Sequence, residues 1–151
     1  MELHEEQLYE LLYETDEAEL LQFLQETSDS GLLHMIAANY NWDNGFAVPL
    51  QIASHAFCDL GTALMIFELA GGYDLLLYGS ESQMCGISEQ EAAQLHSLME
   101  RIEAGGFVHQ NYRYAPELDR MTKYRLKKAH PTLAAVFTEG TDGEEPEVVL
   151  I

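Results

Sequence analysis

Apolar residues recur along the chain at spacings of three and four, the period that places side chains on one face of a helix. Leu8, Leu11 and Leu12 form the first group, and Leu20, Leu21, Phe23 and Leu24 form the second after a break at Thr15-Asp16. Asp16 followed by Glu19 resembles a capping box with Asp in place of Ser or Thr, so two amphipathic helices are predicted. Ser28-Asp29-Ser30-Gly31 interrupts the pattern, and Leu32, Leu33, Ile36, Ala37 and Tyr40 resume it as a third helix. Asn41-Trp42-Asp43-Asn44-Gly45 reads as a turn, because Asn and Gly accept left-handed backbone and Asn and Asp side chains bond nearby backbone. The flanks of Asn44-Gly45 lack the alternation of paired strands, which argues against a hairpin.

Pro49 suits the first turn of a short helix whose apolar positions are Leu50, Ile52, Ala53 and Phe57. Asp59 is placed to cap the next helix, where Leu60, Ala63, Leu64, Met65, Ile66, Phe67, Leu69 and Ala70 are apolar almost all the way round. That pattern marks a central buried helix, ended by Gly71-Gly72. Residues 74–78 add a turn of helix. Ser88-x-x-Glu91 is a regular capping box ahead of Ala92, Leu95, Leu98, Met99 and Ile102, with Gly105-Gly106 closing that helix. Aromatic and β-branched residues from Phe107 to Tyr114 predict a short extended piece bounded by Pro116. Leu118, Met121 and Leu126 mark a further helix, and Pro131 opens a short one with Leu133, Val136 and Phe137.

The expected fold is all-α, a compact bundle or a stack of helix pairs, with extended structure confined to the neighbourhood of 107–114 and the C-terminus. Residues 1–138 form one helical domain. Residues 139–151 form an acidic tail rich in Gly and Pro, expected to be mobile, with residues 148–151 able to dock back as a strand.

A chain of 151 residues is long enough to bury a core without staples or metals. The longest apolar stretch, around 63–70, is interrupted by Glu68 and is far shorter than the roughly 20 residues that cross a bilayer. The amino terminus lacks the positive start and apolar run of a secretory signal, so a cytosolic chain is expected, with Cys58 and Cys85 as two reduced thiols. Charge changes the picture more. Twenty-six acidic residues face seven basic ones, a formal balance of −19. That excess repels nucleic-acid phosphates and anionic membranes and draws basic partners inward. Arg113, Arg120, Lys123, Arg125, Lys127 and Lys128 gather six of the seven cations in one short segment, leaving only Arg101 elsewhere.

His55 and Cys58, three residues apart, can share a helical face, a spacing that occurs in metal sites and between a thiol and a base. A structural zinc would need two further ligands, and Cys85 is the only other thiol. The six histidines His4, His34, His55, His96, His109 and His130 are scattered, and none stands at ligand spacing from another. No phosphate-cradling glycine loop, nucleophile elbow, His-Glu-x-x-His or Cys-x-x-Cys occurs, and no cofactor is expected. Tyr112, Tyr114 and Tyr124 interleave with the basic segment in a way that suits base stacking, but the summed charge opposes nucleic acid. The only Trp of the chain stands in the polar turn Trp42-Asp43-Asn44-Gly45-Phe46, either as an exposed anchor ringed by carboxylates or as a plug of the core.

The run from Leu33 to Phe46, Leu-His-Met-Ile-Ala-Ala-Asn-Tyr-Asn-Trp-Asp-Asn-Gly-Phe, followed by Pro49 and Cys58-Asp59-Leu60-Gly61-Thr62-Ala63-Leu64, resembles a bacterial family known only as a domain of unknown function. The familiar form of its first motif is Asn-Trp-Asp-Asp-Gly-Phe, from which Asn44 departs conservatively. The resemblance covers roughly residues 32–78 and implies no activity. Small acidic domains of this bacterial kind look like immunity proteins, which cover a toxin's active surface with complementary charge.

The leading expectation is therefore a non-catalytic acidic binding protein, of the immunity type, for a basic protein partner, with Trp42, Asp43, Asn44, Asp59 and Glu68 as its binding surface. Glu68 belongs to that set because a charge on an apolar helix is costly unless exposed or paired. The alternatives are a small enzyme using His55, Cys58 and nearby carboxylates, and a helical scaffold.

Overall fold

The computed structural model of the chain describes residues 2–79 and 88–146, and it is all-α, with nine α-helices and no strand among those residues. In order they are α1 Glu2–Tyr9, α2 Glu17–Glu26, α3 Ser30–Asn39, α4 Ala47–Ser54, α5 Leu60–Leu69, α6 Gly72–Tyr78, α7 Glu89–Ala104, α8 Arg120–Ala129 and α9 Val136–Glu139. A π-helical turn, Glu10–Glu14, prolongs α1, and a 3-10 turn, Trp42–Asn44, joins α3 to α4.

Local chemistry sets most of these boundaries. Asp16, Asp29 and Asp119 accept the backbone N–H of Glu19, Leu32 and Thr122, at 2.8, 3.1 and 2.7 Å, so α2, α3 and α8 begin where a carboxylate satisfies an orphan donor. Ser88 and Glu91 exchange reciprocal bonds of 3.1 and 3.0 Å ahead of α7. Gly71, at φ 85°, makes the left-handed joint between α5 and α6.

The buried apolar residues form one contiguous core, so the fold is a compact bundle. The centre is α5, as its all-round apolar sequence predicts: Ala63, Leu64, Ile66 and Phe67 are fully enclosed, and α3, α4, α6 and α7 pack around it. Phe67 meets Tyr73 and Phe137 edge-on, each at 5.4 Å, and the Tyr73 hydroxyl donates to the Phe137 carbonyl at 2.6 Å, which locks α9 to the bundle. No single described helix is long and apolar enough to cross a membrane; α5 and α6 reach that length only together, bent by 67°.

One expectation changes. Pro49 lies in the first turn of α4 as expected, but the helix ends at Ser54, so Phe57 lies beyond it, 41% exposed, instead of on its apolar face. The cause is Arg101, which donates through Nη1 to the carbonyls of Ala53 and His55 at 2.8 and 3.2 Å and so takes up the end of α4. The same guanidinium donates to Gly106 and lies 3.9 Å over the Phe107 ring. The tail expected to be mobile bonds the 111–114 segment at residues 141 and 144. The Thr141 N–H donates to the Tyr114 carbonyl, the Arg113 N–H to the Glu144 carbonyl and the Glu144 N–H to the Asn111 carbonyl, all at 2.9 Å. The expected strand at 148–151, and Cys85, lie outside the described residues.

The extended piece near 107–114 forms no sheet among the described residues; it runs over the bundle as a strap, and its backbone pairing is confined to isolated β-bridges, Asp59 with His109, Tyr112 with Glu144 and Tyr114 with Thr141. It lies so close to α5 that a Cβ on Gly61 would stand 2.6 Å from the Tyr112 carbonyl oxygen. Backbone cannot yield as a flexible side-chain end can. Gly61→Ala is therefore expected to lower unfolding stability in urea by about 1–3 kcal/mol, whereas Gly106→Ala, with its nearest neighbour at 3.5 Å, should lose far less.

Candidate functional site

The structure separates the five residues expected to share a binding surface. Trp42, Asp43 and Asn44 stay together on the 3-10 turn. The Asn41 side chain accepts the Asp43 N–H at 3.0 Å, and Gly45, at φ 105°, lets the chain reverse into α4. Asp43 and Asn44 are exposed. Trp42 is half-buried: its ring meets Phe46 edge-on at 5.3 Å and rests against the core, so it serves as a plug with one free edge.

Asp59 and Glu68 face a different task. Asp59 is 1% exposed. Its carboxylate accepts the N–H of Gly61 at 2.8 Å, capping α5, and those of Asn111 and Tyr112 at 2.6 and 3.2 Å. Glu68, half-buried near the other end of α5, accepts the Tyr114 hydroxyl and, at 2.9 Å, the Glu117 N–H. The two carboxylates thus clip the strap to α5 at both ends. Asp59 is buried and Glu68 half-buried, and their oxygens are engaged by backbone N–H groups and the Tyr114 hydroxyl.

His55 and Cys58 do not form a reactive pair. His55 Nδ1 accepts the Phe57 N–H at 3.0 Å, and the Cys58 thiol, fully buried, lies 3.4 Å from the Asp59 carbonyl. Burial pushes the thiol up to about 12, outweighing the nearby Arg101, so it stays protonated and shielded from solvent.

Beside the Trp42 turn lies a feature that sequence spacing did not single out. The end of the π-helical turn, the start of α2 and residues 40–48 enclose a cleft of about 300 Å³. Leu11, Leu12, Leu20 and Val48 supply its apolar lining, and Thr15, Asp16, Glu17, Tyr40 and Asn44 supply polar groups. Burial and the neighbouring Glu17 hold the Tyr40 phenol above its ordinary value, so its hydroxyl remains a donor at neutral pH. No Lys or Arg lines the cleft. The available signal was the density of carboxylates from Glu5 to Glu19 on a helical run with two tyrosines, Tyr9 and Tyr13, which stack at 5.0 Å and stand half-exposed.

Under the strap, His34 is buried with Nδ1 2.8 Å from the Thr62 hydroxyl and its ring edge-on to Tyr112 at 5.2 Å. Burial lowers its pKa below 6.5, against an opposing pull from Asp59. The unfolded chain then takes up a proton before the folded chain does. His34's contribution to stability is complete above pH 6.5 and is lost as pH falls through its lower folded value. Urea titrations at stepped pH should show a decline below neutrality that is shallower in His34→Gln than in the parent; equal slopes would exclude His34 as its source.

No curated protein and no solved structure matches this chain. A family pattern does, over residues 28–103, which span α3 to α7 and include the Trp42 turn, Asp59 and Glu68. The cleft's α2 side, the strap and α8 fall outside that span. On a match covering half of its length, the chain belongs to the DUF4274 family, a domain of unknown function.

Proposed function

We propose that this chain is a non-catalytic acidic binding protein that recognises a basic protein, in the manner of an immunity protein. The observation that carries the reading is the cleft beside the Trp42 turn. A lysine or arginine side chain has an aliphatic stem and a cationic head. Leu11, Leu12, Leu20 and Val48 match the stem, while Asp16, Glu17 and the Tyr40 and Asn44 polar groups match the head. Exposed Asp43 and the free edge of Trp42 extend the contact outward. The balance of −19 steers such a partner from a distance, and the cleft supplies the short-range fit that slows its release.

The test compares the parent chain with Asp16→Asn/Glu17→Gln/Asp43→Asn. Asn at position 16 keeps the helix cap while removing the charge. Proteins captured from the native host by each form are identified, and the captured partner is then titrated calorimetrically. The expected result is a basic partner whose affinity for the variant falls by about tenfold or more. Equal binding to both forms, or capture of acidic partners alone, contradicts the reading, as does turnover of a small substrate by the purified chain.

A further inference from the structure

The cations of this chain are concentrated on α8. Arg120, Lys123, Arg125, Lys127 and Lys128 are five of its seven basic residues, and the helix holds no carboxylate. Its inner side is set by Leu126, which is fully buried, on a helix that packs against α6. Met121, Tyr124, Arg125 and Lys128, at spacings of three and four, form the outer stripe. Met121 and Tyr124 are 64% and 61% exposed. Within the described residues Lys127 stands 4.0 Å from Glu139, Arg125 bonds the Tyr78 hydroxyl at 3.0 Å and interacts with the N-cap Asp119, while Arg120, Lys123 and Lys128 form no ion pair with a carboxylate of another described residue.

The run formed by α1 and its π-helical turn has the opposite composition. Glu5, Glu6, Glu10 and Glu14 are four exposed carboxylates in a run without a Lys or Arg, and Tyr9 and Tyr13, 51% and 57% exposed, stand among them. This run packs on α3, and its tyrosines are open at the same time as Met121 and Tyr124, so the two faces do not cover one another within one copy.

We propose that the outer face of α8 is a docking surface for the α1 face of a second copy of this chain, joining copies head to tail. Arg120, Arg125 and Lys128 meet Glu5, Glu6, Glu10 and Glu14, and Met121 and Tyr124 meet Tyr9 and Tyr13, giving an apolar centre inside a charged rim. Such a contact is heterologous and leaves one free face of each kind at the ends, so it extends into chains unless the rotation closes a ring. A second copy suits the surface better than a polyphosphate, since the balance of −19 repels a polyanion along its whole length while Met121 offers nothing to a phosphate. Copies repel one another too, but that repulsion is screened beyond ~8 Å at physiological ionic strength, a range that spares groups in contact. The proposal is independent of the cleft reading, because Asp16 and Glu17 lie outside both stripes.

Sedimentation velocity over a rising protein concentration tests it, at ~0.15 M and ~1 M salt. The expected result is a mass that grows with concentration at the lower salt and reverts to the monomer at the higher. Arg120→Glu/Lys128→Glu and Glu6→Lys/Glu10→Lys, each with parent-like circular dichroism, should be monomeric alone. Mixed in equal amounts they should roughly double in mass, because the intact α1 of the first meets the intact α8 of the second. A parent chain that is monomeric throughout, or variants that associate like the parent, overturns the proposal. So does an α8-dependent complex with a short single-stranded oligonucleotide by a chain that does not self-associate, which would assign the face to nucleic acid.

Discussion

Asp59 carries two duties that are usually divided between residues. As the N-cap of α5 it satisfies the first turn of the central helix, and with the same carboxylate it receives the N–H groups of Asn111 and Tyr112, more than fifty residues later. An enclosed carboxylate with no partner would cost several kcal/mol. Three N–H donors and the positive end of a helix offset that cost, each charge-assisted bond contributing about 1.5–3 kcal/mol. The strap is held there, and much follows from its position. It covers His34 and Thr62, requires Gly61, and offers its far edge to residues 141–144 of the acidic tail. Glu68 repeats the arrangement at the other end of α5, so helix and strap are joined at two points by side chains of one helix.

The helical architecture was legible because its signals are local. Asp16, Asp29, Asp59 and Ser88 mark starts through bonds to residues two or three positions away, and the apolar surround of α5 announces a buried helix from its own composition. The strap's course was not legible, since it depends on contacts between residues 59 and 111 or 68 and 117 that no short window contains. Traces were present. Glu68 on an apolar helix demanded a partner, now seen as Tyr114 and the Glu117 N–H, and Gly61 in an otherwise bulky helix marked a close backbone approach. Arg101, isolated from the other cations, marked a single structural task at the end of α4.

The same long-range contacts explain why the candidate site was only partly legible. Trp42, Asp43 and Asn44 were identifiable as a turn, but sequence leaves Trp42 open between anchor and plug; Asp43 and Asn44 are exposed and Trp42 is half-buried against the core. Asp59 groups with them as a nearby capping acid and Glu68 as a charge on an apolar helix, yet neither ground tells whether a carboxylate faces solvent or backbone. Asp16, Glu17 and Tyr40, which complete the cleft, come from segments that only tertiary packing brings beside Asn44. Asp59 and Glu68 hold the strap, whereas Glu5, Glu6, Glu10 and Glu14 stand exposed on the α1 run, apart in sequence from the cations of α8.

The claim that Asp59 fixes the strap, and through it the shape that presents those groups, is tested most directly by native-state hydrogen exchange at the amides of Asn111 and Tyr112. In the parent chain both amides should be protected to an extent comparable with the core of α5. In Asp59→Ala that protection should collapse while α7 stays protected. Amides at 111 and 112 that exchange alike in the two forms would show that the strap is held by something else.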